Sequence, residues 1–181
     1  MILIIDICSE VLHYYEFVRP IEEILRKDGF SFQTLHYSQI NKNILDKATR
    51  VIICGTSLKD NEFLNNIDKF LWLKKFKKPV FGICAGMQII GSIFNQKIDR
   101  NQEIGFFYEK FTKNFFSLNK ETEVYHLHNN YIKFNRKQFD IYNKGKIIQA
   151  IRKKRTNIYA CLFHPEVRNQ KVISKFAKET K

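Results

Sequence analysis

Residues 1–5 are apolar without a break and end at Asp6, the pattern of a strand covered on both faces. Over residues 11–27, Leu12, Tyr15, Val18, Ile21, Ile24 and Leu25 fall near helical spacing, and Asp28-Gly29 supplies a stop. The pattern then predicts a strand over 30–36, a short helix over 40–47 and a strand over 50–54, apolar after Arg50 and broken at Gly55-Thr56-Ser57. A helix over 58–75 and a fourth strand over 79–84 follow. Strands separated by helical stretches predict a parallel sheet with right-handed crossovers.

The second half changes character. Short β-rich pieces at 105–111, 123–127, 131–134 and 146–151 are joined by polar turns such as Asn143-Lys144-Gly145-Lys146. They read as antiparallel strands, attached to the same sheet or forming a small side sheet. A core strand over 159–163 and a helix over 170–178 close the pattern. With no repeat, low-complexity tract or Pro/Gly-rich linker, the expectation is one α/β domain spanning residues 1–181.

Composition narrows the classes. The chain has 181 residues, enough to bury a core without disulfides or a structural metal. Its 44% hydrophobic content and 17 Phe exclude a disordered polymer. Lys and Arg outnumber Asp and Glu by 31 to 18, a net charge of +13 that invites a nucleic-acid reading. The charge gathers in Lys74-Lys75-Phe76-Lys77-Lys78, after a helix end, and in Arg152-Lys153-Lys154-Arg155, between two strands as at a hairpin tip. Neither cluster has the aromatic spacing of a base-stacking surface. A basic nucleic-acid-binding or regulatory module is therefore the disfavoured alternative, and the charge is assigned to docking on an acidic partner or to attracting anionic metabolites.

No apolar run approaches the roughly 18 residues of a membrane span, and Asp6 interrupts any signal-peptide core. Cys8, Cys54, Cys84 and Cys161 form no Cys-x-x-Cys pair. A cytoplasmic setting with free thiols is expected, with Cys8, Cys54 and Cys161 as small buried hydrophobes at strand ends.

Cys84 differs. In Gly82-Ile83-Cys84-Ala85-Gly86 a buried strand runs into an apolar helical pattern, the form of a nucleophile elbow. Side chains two residues either side of such a turn would collide, which explains the glycines. The turn also points helix N-terminal amides at the sulfur, favouring thiolate. The competing reading is a glycine-flanked, buried structural cysteine. A thiol nucleophile needs a base oriented by a third group. Pro165 holds His164 extended, so Glu166 two residues on can reach its imidazole. His13 and His36 read as surface or helix-face residues. His126 and His128 share one side of a strand and could line a cleft; with no carboxylate or Cys at ligand spacing nearby, no metal is assigned.

Gly-Ile-Cys84-Ala-Gly-Met-Gln88 and Phe-His164-Pro-Glu166 together resemble the class I (triad) glutamine amidotransferases, and the order of segments matches over nearly the whole chain. The resemblance implies a flavodoxin-like fold that hydrolyses L-glutamine to glutamate and ammonia without a cofactor and passes the ammonia to a synthase partner. It implies Cys84 as the nucleophile forming a γ-glutamyl thioester. His164 would be the acid and base and Glu166 its orienting carboxylate. Ala85 and Gly55 would supply oxyanion amides, and Gln88, Thr56, Glu103 and His128 would contact substrate. The usual Gly-Gly-Pro loop is Gly55-Thr56-Ser57 here, and the loop at Leu127-His128-Asn129-Asn130 lacks a Ser-His-Gly-Asp form. The layout is most similar to the glutaminase component of a two-subunit GMP synthase. Imidazole-glycerol-phosphate or anthranilate synthase components and a γ-glutamyl hydrolase stay open as alternatives.

Overall fold

The computed structural model describes residues 1–179. Its main sheet contains β1 (Ile2–Asp6), β2 (Phe32–His36), β3 (Arg50–Ile53), β4 (Val80–Ile83), β7 (Phe139–Ile141), β8 (Ala150–Lys153) and β9 (Ile158–Cys161). These seven strands lie in the order β2-β1-β3-β4-β9-β8-β7. The five strands from β2 to β9 run parallel, and β8 and β7 add on antiparallel, as expected of a flavodoxin-like sheet with antiparallel additions.

Side-chain alternation divides the core into two layers. Leu3, Ile5, Val51, Ile53 and Val80 point to one face, where α5 (Ala85–Ile93) packs through Met87, Ile89, Ile90 and Ile93. Ile2, Ile4, Ile52, Phe81 and Ile83 point to the other. There they meet α1 (Val11–Phe17), α2 (Arg19–Lys27) and α6 (Lys171–Glu179) through Phe17, Ile21, Leu25, Ile173 and Phe176. Burying each such side chain is worth about 1.5–3 kcal/mol, so the continuous apolar runs specify central strands.

Several predicted elements differ. The helix expected over 11–27 is two helices meeting at Val18, because Pro20 has no amide to bond back to residue 16. The helix expected over 58–75 is a short α4 (Glu62–Asn65) and a 3₁₀ stretch, Ile67–Lys74. Between them the Asn66 side chain donates to the Glu62 carbonyl at 3.1 Å, competing with helix continuation. The pieces predicted at 105–111, 123–127 and 131–134 belong to two long strands, β5 (Lys97–Lys110) and β6 (Glu121–Lys133), paired antiparallel as a separate ribbon. Only Ala150 and Ile151 of the strand expected over 146–151 are in a strand; Asn143 instead ties that loop to Ile147 and Gln149.

Arg152–Arg155 does form the β8–β9 turn. It faces the other basic cluster across a cavity of about 390 Å3 lined by Lys74, Lys77, Arg152, Lys153 and Arg155. That cavity lies where β4 and β9 begin; Cys84 lies where β4 ends. Among the described residues no helix is long and apolar enough to cross a membrane. All four cysteines are free and buried.

Candidate active site

Cys84 caps the N-terminus of α5 in a strained conformation, φ 48° and ψ −102°. A conformation of this kind costs about 1–3 kcal/mol and persists only when its surroundings impose it. Here they do. A Cβ on Gly82 would lie 2.7 Å from the Gly86 carbonyl carbon, and one on Gly86 would lie 2.5 Å from the Ile53 oxygen. The Cys84 amide donates to the Cys161 carbonyl at 2.8 Å, tying the turn to β9. The Met87 and Gln88 amides donate to the Cys84 carbonyl at 2.9 and 3.2 Å, and the amides of Ala85 and Gly86 open the helix at its positive end.

The segment after β9 brings in the imidazole. The His164 amide donates to the Tyr125 carbonyl of β6 at 2.8 Å, and the ring packs on Phe17 of α1. His164 Nδ1 is 2.7 Å from Glu166 Oε1, with both side chains buried. Burial alone would lower the His164 pKa; the charges of Glu166 and Cys84 outweigh it and hold it well above the ordinary value. His164 Nε2 has no hydrogen-bond partner, while the Cys84 thiol donates to the Leu127 carbonyl at 3.5 Å. Thiol and imidazole are neighbours close enough for the Cys84 side chain to raise the His164 pKa, and such catalytic contacts are often long before substrate binds.

Gly55 completes the contact. A Cβ there would lie 2.8 Å from His164 Cε1 and 3.4 Å from Cys84 Cβ, so only glycine leaves the ring its place. The loop beyond it is anchored by Asp60, whose role the sequence did not suggest. Asp60 accepts from the Thr56 hydroxyl at 2.7 Å and from the Ser9 amide at 2.8 Å. Burial would raise its pKa, but these donors and the Glu62 amide hold it below the usual carboxylate range.

A cavity of about 10 Å3 sits over Cys84, lined among others by Thr56, Ala85, Gln88, Leu127, His128 and Asn129. Buried Gln88 presents a side-chain oxygen with no partner. Glu103 does not line this cavity. It sits opposite His128 in the ribbon, with Oε2 2.8 Å from His126 Nδ1 and 3.0 Å from His128 Nε2. Burial lowers the two imidazoles to about 3 and about 4, so both are neutral. The carboxylate missing at ligand spacing in the sequence is thus supplied across strands, and Glu103, His126 and His128 form a group able to hold a metal ion.

A buried thiol on a strained elbow, beside an imidazole oriented by a carboxylate, is suited to covalent acyl transfer. The family model for glutamine amidotransferase class-I matches residues 10–178. The chain belongs to this family of enzymes. Two curated relatives, both GMP synthases (glutamine-hydrolyzing), come from Spiroplasma kunkelii, 35% identical over 121 residues, and Dictyostelium discoideum, 32% identical over 113. The matches cover 61% and 55% of this chain but only 23% and 16% of those proteins. This amidotransferase also shares its fold with a candidate GMP synthase subunit of Thermoplasma acidophilum. There the TM-score is 0.84 at 21% identity, over 97% of this chain and 90% of that one. A glutamine amidotransferase of Thermotoga maritima superposes with a TM-score of 0.71 at 20% identity, over 91% and 75% of the two chains.

Proposed function

We propose that this amidotransferase hydrolyses L-glutamine through Cys84, His164 and Glu166 and delivers the ammonia to a GMP-synthase-type partner. The observation that carries the reading is Cys84 on its elbow beside an imidazole whose far nitrogen is fixed by Glu166. His164 takes the thiol proton as Cys84 attacks the carboxamide carbon. Amides of Ala85 and the Gly55 loop stabilise the oxyanion of the tetrahedral intermediate. As that intermediate collapses, the C–N bond breaks, His164 protonates the departing ammonia, and a γ-glutamyl thioester is left. His164 then deprotonates water, which releases glutamate. Gln88 and His128, facing the cavity, contact the substrate; Thr56 acts through Asp60 on the loop's shape, and Glu103 acts on His128 rather than on substrate.

The GMP assignment is supported by the GMP synthases among its relatives. Exposed Ile104, Phe106 and Tyr108 on β5 offer apolar surface for a partner. Free thiols suit a cytoplasmic setting. The experiment is glutamate and GMP production from glutamine, xanthosine monophosphate and ATP, with a GMP synthetase partner present or absent. Glutamine-dependent GMP made only with both proteins supports the reading; hydrolysis of γ-glutamyl peptides but not glutamine overturns it.

A further inference from the structure

His126 and His128 lie two apart on β6, so both turn to its buried side, and Glu103 meets them from β5. No step of the proposed hydrolysis uses His126. Glu103 Oε2 approaches both rings within 3.0 Å, and His128 also bonds the Asn101 backbone, whereas neither ring nitrogen of His126 has a hydrogen-bond partner. A buried polar group left unsatisfied is costly, so His126 needs a ligand or a compensating gain.

The surroundings are built to hold these groups. Fully buried Gln149 donates to Glu103 Oε2 at 3.1 Å. Buried Asn143 donates to Glu109 at 3.0 Å, and Glu109 stands 3.8 Å from the far nitrogen of His126. The Phe107 ring stacks on His126 with centroids 4.7 Å apart. Amides that orient carboxylates, and an aromatic wall that fixes an imidazole, are the usual outer supports of metal ligands.

We propose that Glu103, His126 and His128 bind a divalent transition metal, zinc being the best match, beneath the β5–β6 ribbon. One nitrogen from each imidazole and one carboxylate oxygen lie within 4.8 Å of one another. Tetrahedral zinc with ligands near 2.1 Å separates neighbouring donors by roughly 3.4 Å. The Glu103 contacts, 2.8 and 3.0 Å, need only a small outward shift. Two imidazoles and one carboxylate leave a fourth position for water or another ligand. His128 also lines the cavity over Cys84, so the proposed ion lies beside the candidate active site. The bound ion would clamp the ribbon strands together and stabilise the folded chain. This inference does not depend on glutamine hydrolysis.

The test uses the full chain, stripped with chelator under reducing conditions and titrated with Co2+, then with competing Zn2+. Wild type should bind one equivalent with the visible absorption of low-coordinate cobalt, and zinc should raise its Tm. Glu103→Gln and His126→Asn should each weaken binding at least tenfold, while Cys84→Ser leaves it unchanged. Circular dichroism checks their fold, and Glu103→Gln, at a partly exposed site, carries the test if His126→Asn does not fold. No binding by wild type overturns the proposal, and so does binding lost in Cys84→Ser but kept in Glu103→Gln.

Discussion

His164 Nδ1 and Glu166 Oε1 are 2.7 Å apart, a buried hydrogen bond between residues separated only by Pro165. The chain turns here, with the Val167 amide donating to the His164 carbonyl at 3.2 Å, and this turn, rather than the extended backbone expected from the sequence, brings the carboxylate to the imidazole. That one contact fixes the ring, selects its tautomer and opposes the effect of burial on its charge. Glu166→Gln keeps the shape and removes the charge. Burial should then dominate, and the His164 pKa should fall below its wild-type value in an NMR titration. Glutamine turnover should drop about 10²–10⁴-fold, the range associated with a misoriented or weakened acid–base group.

The same contact predicts a dependence of stability on pH. A histidine whose folded pKa is raised adds stability fully below its unfolded value near 6.5, and that stability is lost as pH climbs through the elevated folded value. Urea midpoints of wild type should therefore decline on the alkaline side through this group. In Glu166→Gln that share of the decline should be absent, which paired unfolding curves across pH would show.

Gly55 and Gly82 separate function from folding. A methyl on Gly55 meets the edge of the His164 ring and misplaces a reacting group, whereas one on Gly82 meets the backbone of Gly86 that shapes the elbow. Gly55→Ala should cut kcat at least tenfold while the Tm stays within a few degrees of wild type. Gly82→Ala should destabilise the fold by about 2 kcal/mol or more. Turnover and thermal unfolding of the two purified variants check the contrast.

Access to Cys84 is restricted. Its cavity of about 10 Å3 is too small for a glutamine side chain, but an open cleft of about 880 Å3 adjoins it and shares Leu58, Asn61, Asn129 and Asn130. Between them the Asn129 side-chain amide donates to the Leu58 carbonyl at 3.1 Å. Asn129→Ala removes that strap. Partner-free glutaminase activity should rise severalfold, mainly through a lower KM, in steady-state assays.

The central strands and the elbow were legible because local chemistry dictates them. Runs such as residues 1–5 and 51–54 fit a strand buried on both faces, and Cys84 with glycine two residues to either side fits a tight turn. The His164–Glu166 pair was legible too, though a turn at Pro165 rather than the expected extended backbone joins it. The ribbon was legible only as short antiparallel pieces of a side sheet, not as two long strands, because β5 is largely exposed and polar, and a register shift at Arg100–Glu103 interrupts its alternation. Asp60 under Thr56, and Glu103 against His126 and His128, depend on tertiary approach. The two basic clusters also looked independent until β4 and β9 paired and brought them around one cavity.

Formation of a γ-glutamyl thioester on Cys84 is read directly by intact-mass spectrometry after a rapid acid quench. With the synthetase partner present and glutamine saturating, wild type should show a γ-glutamyl adduct that maps to the peptide containing Cys84. Cys84→Ser should yield no thioester adduct and no turnover. A turnover-competent Cys84→Ser protein, or an adduct mapping to Cys8, Cys54 or Cys161, would contradict it.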